Sequence, residues 1–293
     1  MRTVRKLVSR VFLTMGYRIQ RVSVADPPPP APSGIPENSV HFLMSDRSYG
    51  ELIERVKPYT LTSYERIAAL ADATRYVVRA GIPGAIVECG VWRGGSIMAA
   101  ALTLLQEGEL RDLYLFDTFA GMTPPADCDI DHEGTPAQKL YPLLQNEAAG
   151  GWCYASLEDV RQNVLSTGYP EERIHFVRGD VLQTIPHHTL NEIAILRLDT
   201  DWYESTLHEL KQLYPLLRSG GILIIDDFGY WQGCRKAVEE YFGGSGPFLS
   251  IIDQTGRLVV KPGTDLRLAE FANSRQSGSL TALSLPANQS AAE

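Results

Sequence analysis

Ile193-Ala-Ile-Leu-Arg-Leu-Asp-Thr-Asp201 is the stretch that decides the fold. It reads as a buried strand that delivers Asp199 to its C-terminal end, with Asp201 in the loop just beyond. A second run, Gly221-Ile-Leu-Ile-Ile-Asp-Asp-Phe228, ends the same way on Asp226 and Asp227. Strands this continuously apolar belong to parallel sheets covered on both faces, and such sheets bind ligands outside the carboxyl ends of their strands. Four carboxylates brought to one edge repel each other unless a cation, a proton or a hydroxyl partner is present. A hard divalent ion such as Mg²⁺, which takes oxygen ligands, is the simplest remedy. For a single strand, an Asp that merely caps the next helix would explain the residue equally well; two strands ending in paired Asp favour a site.

Working outward, strands alternate with helices. Ala85-Ile-Val-Glu-Cys-Gly90 is the first core strand, with a helix from Ser96 to Leu105 after it. Leu113 to Asp117 is a second strand and His175-Phe-Val177 a third. Ser156 caps a helix, and Thr62 or Ser63 caps another that stops at Gly81-Ile-Pro-Gly84. A helix over Trp231 to Tyr241 precedes a hairpin, Phe248 to Ile252 with Arg257 to Lys261, turning at Thr255-Gly256. The pattern predicts a doubly wound α/β sheet, mostly parallel, with one antiparallel strand from the C-terminal hairpin.

Around this core the composition changes. Residues 1–22 carry Arg2, Arg5, Lys6, Arg10, Arg18 and Arg21, with Val4, Leu7, Val8, Val11, Phe12 and Met15 at helical spacing. Such a basic amphipathic helix can lie on an anionic membrane surface, on the protein's own body or on a second subunit; peripheral membrane contact and a homo-oligomer both stay open. It lacks the apolar core and cleavage site of a signal peptide. Residues 23–39 form a Pro-rich linker, residues 40–266 the folded domain, and residues 267–293 a polar tail expected to be frayed. Residues 120–155 are too irregular for core and read as a lid or insert. Within it, Asp127, Asp129 and Asp131 begin like a calcium loop, but His132 stands where glycine is required and Gln138 where glutamate is, so a solvated acidic loop is expected.

The 293-residue chain has 27 basic and 35 acidic side chains, a formal net charge of −8, which argues against binding nucleic acid by phosphate neutralisation. Cys89, Cys128, Cys153 and Cys234 show no paired spacing and read as free thiols in a reducing, cytoplasmic setting, with the inner membrane face as the alternative station. No apolar run is long enough to span a membrane.

Glu88-Cys-Gly-Val-Trp-Arg-Gly-Gly-Ser96 joins the first strand directly to its helix. Gly90 and Gly94 would let a ligand approach the backbone, and the helix opening at Ser96 offers free N–H groups. The stretch does not match G-x-G-x-x-G, and Glu88 would repel a pyrophosphate. It suits a cationic ligand instead, such as the α-amino group of S-adenosylmethionine. Asp117 is placed to accept from ribose hydroxyls and Asp180 from an adenine amino group. Trp202, Tyr203, Tyr230 and Trp231 read as packing residues, a wall for a sugar ring being the alternative.

Val87 to Ser96, Phe116-Asp-Thr-Phe-Ala-Gly-Met122, Leu196 to Thr206 and Gly221 to Tyr241 closely resemble the macrocin O-methyltransferase (TylF-type) family over roughly residues 58–262. The resemblance implies a Rossmann-like class I methyltransferase sheet, S-adenosylmethionine and Mg²⁺ as cofactors, and methylation of sugar hydroxyls on antibiotics. It implies Asp199, Asp226 and Asp227 as metal ligands, Asp201 as general base, and Glu88, Gly90 and Asp117 as cofactor contacts. The family pattern carries His where this chain has Tyr230, beside the metal pair, a departure that bears on acceptor identity. The acceptor expected is a natural-product glycoside or a lipid-linked or surface glycan. The competing expectations are a Rossmann oxidoreductase, disfavoured by the missing dinucleotide fingerprint, and a non-catalytic membrane-associated binding module, disfavoured by the intact Asp set.

Overall fold

A computed structural model of the chain describes residues 43–44, 46–145, 151–187 and 189–263. The basic helix expected over residues 1–22, the linker at 23–39 and the tail at 267–293 lie outside the described residues. The chain divides into two units, Met1–Lys261 and Pro262–Glu293, and the core belongs to the first.

Seven strands form one sheet: β1 (Ala85–Cys89), β2 (Leu113–Asp117), β3 (Ile174–Arg178), β4 (Ile193–Leu198), β5 (Leu217–Ile225), β6 (Ser250–Ile251) and β7 (Arg257–Val260). Their order is β3-β2-β1-β4-β5-β7-β6. β1 to β5 are parallel, and β7 alone runs against β5 and β6, as the hairpin predicted. The winding reverses between β1 and β4, the position at which the loops after two neighbouring strands part and leave a crevice.

Alternate side chains leave each strand on opposite faces. Ile86, Leu115, Ile195 and Ile224 pack under α1 (Arg47–Val56), α2 (Tyr64–Arg79) and α3 (Gly95–Glu107). Val87, Phe116, Leu196 and Leu223 join the other core, with Leu210 of α7 (Tyr203–Leu213) and Val238 of α8 (Gln232–Phe242). Between them in the chain come α4 (Ala137–Leu144), α5 (Leu157–Leu165) and the single turn α6 (Val181–Thr184). The caps follow the sequence: Ser63 accepts from Arg66 N to start α2, and Ser156 accepts from Asp159 N to start α5. Helix α1, rich in charge and short, was not anticipated, although Asp46 caps it by accepting from Ser48 N.

The acidic stretch inside the insert is a correction. It is solvated only in part: Asp127, His132 and Glu133 are exposed, but Asp129 is fully buried and Asp131 nearly so. Asp129 Oδ1 accepts from Tyr203 N at 2.8 Å and Oδ2 from Ala126 N at 2.7 Å. Helix α7 has Trp202 at its N-cap position, with no oxygen of its own to offer, so Asp129 supplies the missing acceptor from 74 residues away. Asp131 Oδ1 accepts from Thr135 N and Glu133 N, closing a local turn. Gln232 N and Nε2 donate to the carbonyls of Ile130 and Asp131, tying this stretch to the start of α8. A Cβ added at Gly233 would lie 2.0 Å from Asp129 Oδ1, so a glycine is required where the helix meets the carboxylate. Asp129→Ala is expected to lower stability by about 1–3 kcal/mol, the cost of buried N–H groups left without an acceptor. Urea unfolding midpoints of the two proteins measure it.

Candidate active site

The loops after β1 to β5 enclose one cavity at the carboxyl edge of the sheet. Gly90, Ser96, Asp117 and Asp180 line it on one side; Asp199, Asp201, Asp226 and Asp227 line it on the other. Glu88 and Gly94 lie outside that lining. Three residues that are not glycine, Trp92 (φ 47°), Cys153 (φ 52°) and Asp201 (φ 65°), line it with left-handed backbone. Strained backbone concentrates where a site over-determines geometry.

On the first side, Gly90 has φ 81°, and a Cβ there would stand 1.9 Å from the Asp199 carbonyl oxygen. Only glycine lets the loops after β1 and β4 approach this closely. Gly94 is left-handed too, but its missing Cβ faces Val164 of α5, so it serves packing at the start of α3. Asp117 Oδ2 accepts from Val91 N (2.7 Å) and Trp92 N (3.1 Å), and Oδ1 from Phe119 N (2.7 Å). Burial pushes its pKa up against these bonds. Asp180 caps α6, accepting from Leu182 N, and still lines the cavity.

Glu88 is 2% exposed, and its Oε1 accepts from Arg197 Nη1 at 2.6 Å. Arg197 is the residue that the sequence reading missed. Parallel register sets it opposite Glu88 on β1 and Ile224 on β5. Nη1 also lies 2.8 Å from Asp199 Oδ2, and Nη2 donates to Asp226 Oδ1 at 2.5 Å. A second guanidinium, Arg66 of α2, pairs with Asp226 Oδ2 and, at 2.8 Å, with Asp253 Oδ2. Arginine buried inside a strand is rare unless paired, which is the signal that could have singled out Arg197. Removing it alone would strand buried carboxylates, at a cost of about 3–5 kcal/mol.

Two guanidiniums face six carboxylates: Glu88, Asp199, Asp201, Asp226, Asp227 and Asp253. The unmatched charge and burial together raise Asp201 and Asp227. Burial, then the charge of Asp199, pushes Asp201 up to about 8. Burial, then Asp201, holds Asp227 well above the ordinary range. Burial also raises Asp199 to about 6 and Glu88 to about 8, against the pull of Arg197. Trp231 Nε1 donates to Asp201 Oδ1 at 2.6 Å and holds that carboxyl in place.

Asp199, Asp226 and Asp227 each offer an oxygen, all within 4.8 Å of one another. Oδ2 of Asp227 is buried without a hydrogen-bond partner, and each ion-paired oxygen keeps a second lone pair. This all-oxygen set fits a hard divalent cation. Glu88 Oε2 is likewise buried without a hydrogen-bond partner. Trp202 and Trp231 pack ring against ring with Trp152 and are buried, as expected, whereas Tyr203 is only half-buried, its hydroxyl donating to Glu240 at 2.6 Å. Tyr230 is buried too, yet it lines the cavity, 4.9 Å from the rings of Trp231 and His132. The four cysteines are free thiols. No helix among the described residues is long and apolar enough to cross a membrane.

Residues 36–256 match the family described as Macrocin-O-methyltransferase (TylF). The chain is 35% identical over 205 residues to 8-demethyl-8-(2,3-dimethoxy-alpha-L-rhamnosyl)-tetracenomycin-C 4'-O-methyltransferase of Streptomyces olivaceus, covering 68% of this chain and 74% of that one. It is 33% identical over 202 residues to mycinamicin III 3''-O-methyltransferase of Micromonospora griseorubida, covering 68% and 76%. The solved structure of the O-methyltransferase NovP superposes with a TM-score of 0.61 at 28% identity, over 70% of this chain and 83% of that one.

The raised carboxyls set a pH dependence. An ordinary aspartate titrates near 3.9 and a glutamate near 4.3 when the chain unfolds, so between those values and about 6 to 8 the folded protein binds more protons than the unfolded chain. Stability is therefore full at low pH and lost as pH rises through the folded values. Without divalent ions the melting temperature is expected to fall from pH 5 to pH 9. Added Mg²⁺ should raise it more at pH 8 than at pH 5, because protons compete for the same oxygens. Scanning calorimetry across that range, with and without Mg²⁺, reads both effects.

Proposed function

The chain belongs to the macrocin O-methyltransferase (TylF) family and is an S-adenosylmethionine-dependent O-methyltransferase, and we propose that its acceptor is a sugar hydroxyl of a glycoside, deprotonated by Asp201. The observation that carries this reading is the convergence of Asp199, Asp226 and Asp227 beside Asp201, in one cavity with Gly90, Ser96 and Asp117. The relatives from Streptomyces olivaceus and Micromonospora griseorubida are named for the 4'-oxygen of a rhamnosyl tetracenomycin and the 3''-oxygen of mycinamicin III, which supports a glycoside acceptor here.

S-adenosylmethionine supplies the methyl group on a sulfonium; Mg²⁺, held by Asp199, Asp226 and Asp227, would supply positive charge that lowers the acceptor hydroxyl's pKa. The chain's own residues do the rest. Asp201 takes the hydroxyl proton on its carboxylate while the indole N–H of Trp231 fixes its direction. Glu88, behind the cavity lining, would act on the cofactor's ammonium by its charge, and Asp117 would offer the remaining lone pair of Oδ1 to the ribose. Gly90 gives the cofactor close access to the backbone, where a side chain would intrude. Asp180 would take the adenine amino group with the lone pairs its capping bond leaves over. Met122, Thr123, Trp152 and Cys153 of the insert line the cavity and would exclude water over the acceptor. Closure, on this reading, comes from those segments and not from the stretch that Asp129 and Gln232 tie down.

Turnover is expected when purified protein is incubated with S-adenosylmethionine, Mg²⁺ and deoxysugar glycosides, and a chelator should abolish it. Asp201→Asn should lower kcat by about 10²–10⁴-fold, the usual contribution of a positioned base, and leave S-adenosylmethionine affinity unchanged by titration calorimetry. Loss of cofactor binding in that variant would remove Asp201 from the role. A matching titration with NAD should show no heat of binding.

A further inference from the structure

Glu209 of α7 is a buried acid that the chemistry above does not use. It is fully buried, and neither of the two guanidiniums of the site reaches it. Thr200 Oγ1 lies 3.0 and 3.1 Å from its two carboxyl oxygens, and the Cys89 thiol at the end of β1 also bonds it. Burial raises its pKa well above the ordinary range. An apolar side chain would fill this position at less cost, so the acid needs an explanation.

Its partner supplies one. Thr200 sits between Asp199 and Asp201, and its carbonyl accepts from Trp202 N at 2.7 Å and from Ser205 Oγ at 3.3 Å. With Thr200 held at its carbonyl and at its hydroxyl, the turn forces residue 201 into left-handed backbone, φ 65°. That conformation is uncommon for a residue other than glycine and must be imposed by its surroundings. It is also what delivers the Asp201 carboxyl to Trp231 and the cavity.

We infer that Glu209 is a positioning residue for methyl transfer: through the Thr200 hydroxyl it locks the turn that holds Asp201 in its working place. This rests on Asp201 being the base, as proposed above. Glu209 touches neither reacting atom, so its loss acts on geometry alone. A displacement of the base by about 1 Å costs on the order of 10²-fold.

The test compares Thr200→Val, Glu209→Leu, Glu209→Gln and the double variant Thr200→Val/Glu209→Leu. Each is assayed for kcat, acceptor KM, cofactor affinity and melting temperature. Thr200→Val and Glu209→Leu are each expected to lower kcat by about 10- to 100-fold with cofactor affinity within about threefold. The double variant should be no worse than the worse single one, because both break the same bond. Glu209→Gln, whose amide still accepts from Thr200, should recover kcat to within about threefold. A merely structural role would lower the melting temperature and leave kcat of the folded enzyme intact, and that result overturns the inference. So would losses that multiply in the double variant, or an equal loss of cofactor affinity. If Glu209→Leu does not fold, Thr200→Val and Glu209→Gln decide the matter alone. Retained turnover in Asp201→Asn would instead overturn the reading of the base, whatever the Glu209 variants do.

Discussion

The guanidinium of Arg197 is the constraint on which the site depends. A buried cation needs several acceptors at once, and here they come from β1, from the end of β4 and from the end of β5. Those ends can meet only if the three strands keep one register, in which Glu88 stands opposite Arg197. Register in a parallel sheet buried on both faces is weakly marked by its apolar side chains, since a slip exchanges one apolar residue for another. The ion pairs mark it strongly, because a slip would leave a buried charge unmatched. Stability and site geometry are therefore the same requirement at this place, and Arg66 extends it to α2 by gripping Asp226 and Asp253.

Much of this was legible in the chain, and the pattern of what was not is physical. The parallel core strands, the closing hairpin and the acids at strand ends are local features, written in runs of a few residues. So were the caps at Ser63 and Ser156. The partners of those acids are not local. Arg197 and Glu88 are 109 residues apart, Arg66 and Asp226 160, and Trp231 and Asp201 30. Nothing in the spacing announces that they meet. The repulsion among the carboxylates was foreseen and a metal invoked to relieve it, whereas the chain supplies part of the relief itself. Arg197 stood inside the decisive stretch all along, as a charge in a strand that has no exposed face.

The acidic stretch of the insert illustrates the converse. Asp127, Asp129 and Asp131 alternate as a solvated loop would, yet two of the three are buried. The reason lies elsewhere in the chain, in a helix that begins at Tyr203 without a capping side chain of its own. A helix start that lacks its acceptor is a demand that any nearby carboxylate can meet. By meeting it, Asp129 fixes the insert against the same turn that carries Asp201. The wall of the cavity and Asp201 thus share an anchor.

A carboxyl held at about 8 is largely protonated at pH 7, which weighs against Asp201 as the proposed base until positive charge enters the cavity. The value follows from the protein's own charges, in which carboxylates outnumber guanidiniums and burial denies them water. Every positive charge brought into the cavity lowers it, by the same Coulomb interaction through which Asp199 raises it. The cofactor is a cation at its sulfonium, and the ion suited to the three carboxylates is divalent. Asp201 therefore sheds its proton as the site fills, becoming free to accept one, and holds its proton when the cavity carries no added charge. Such a group accepts a proton when the reactants are assembled around it and is poorly disposed to do so earlier. The surplus of negative charge, costly to the fold as pH rises, is what ties the protonation state of Asp201 to the loading of the site.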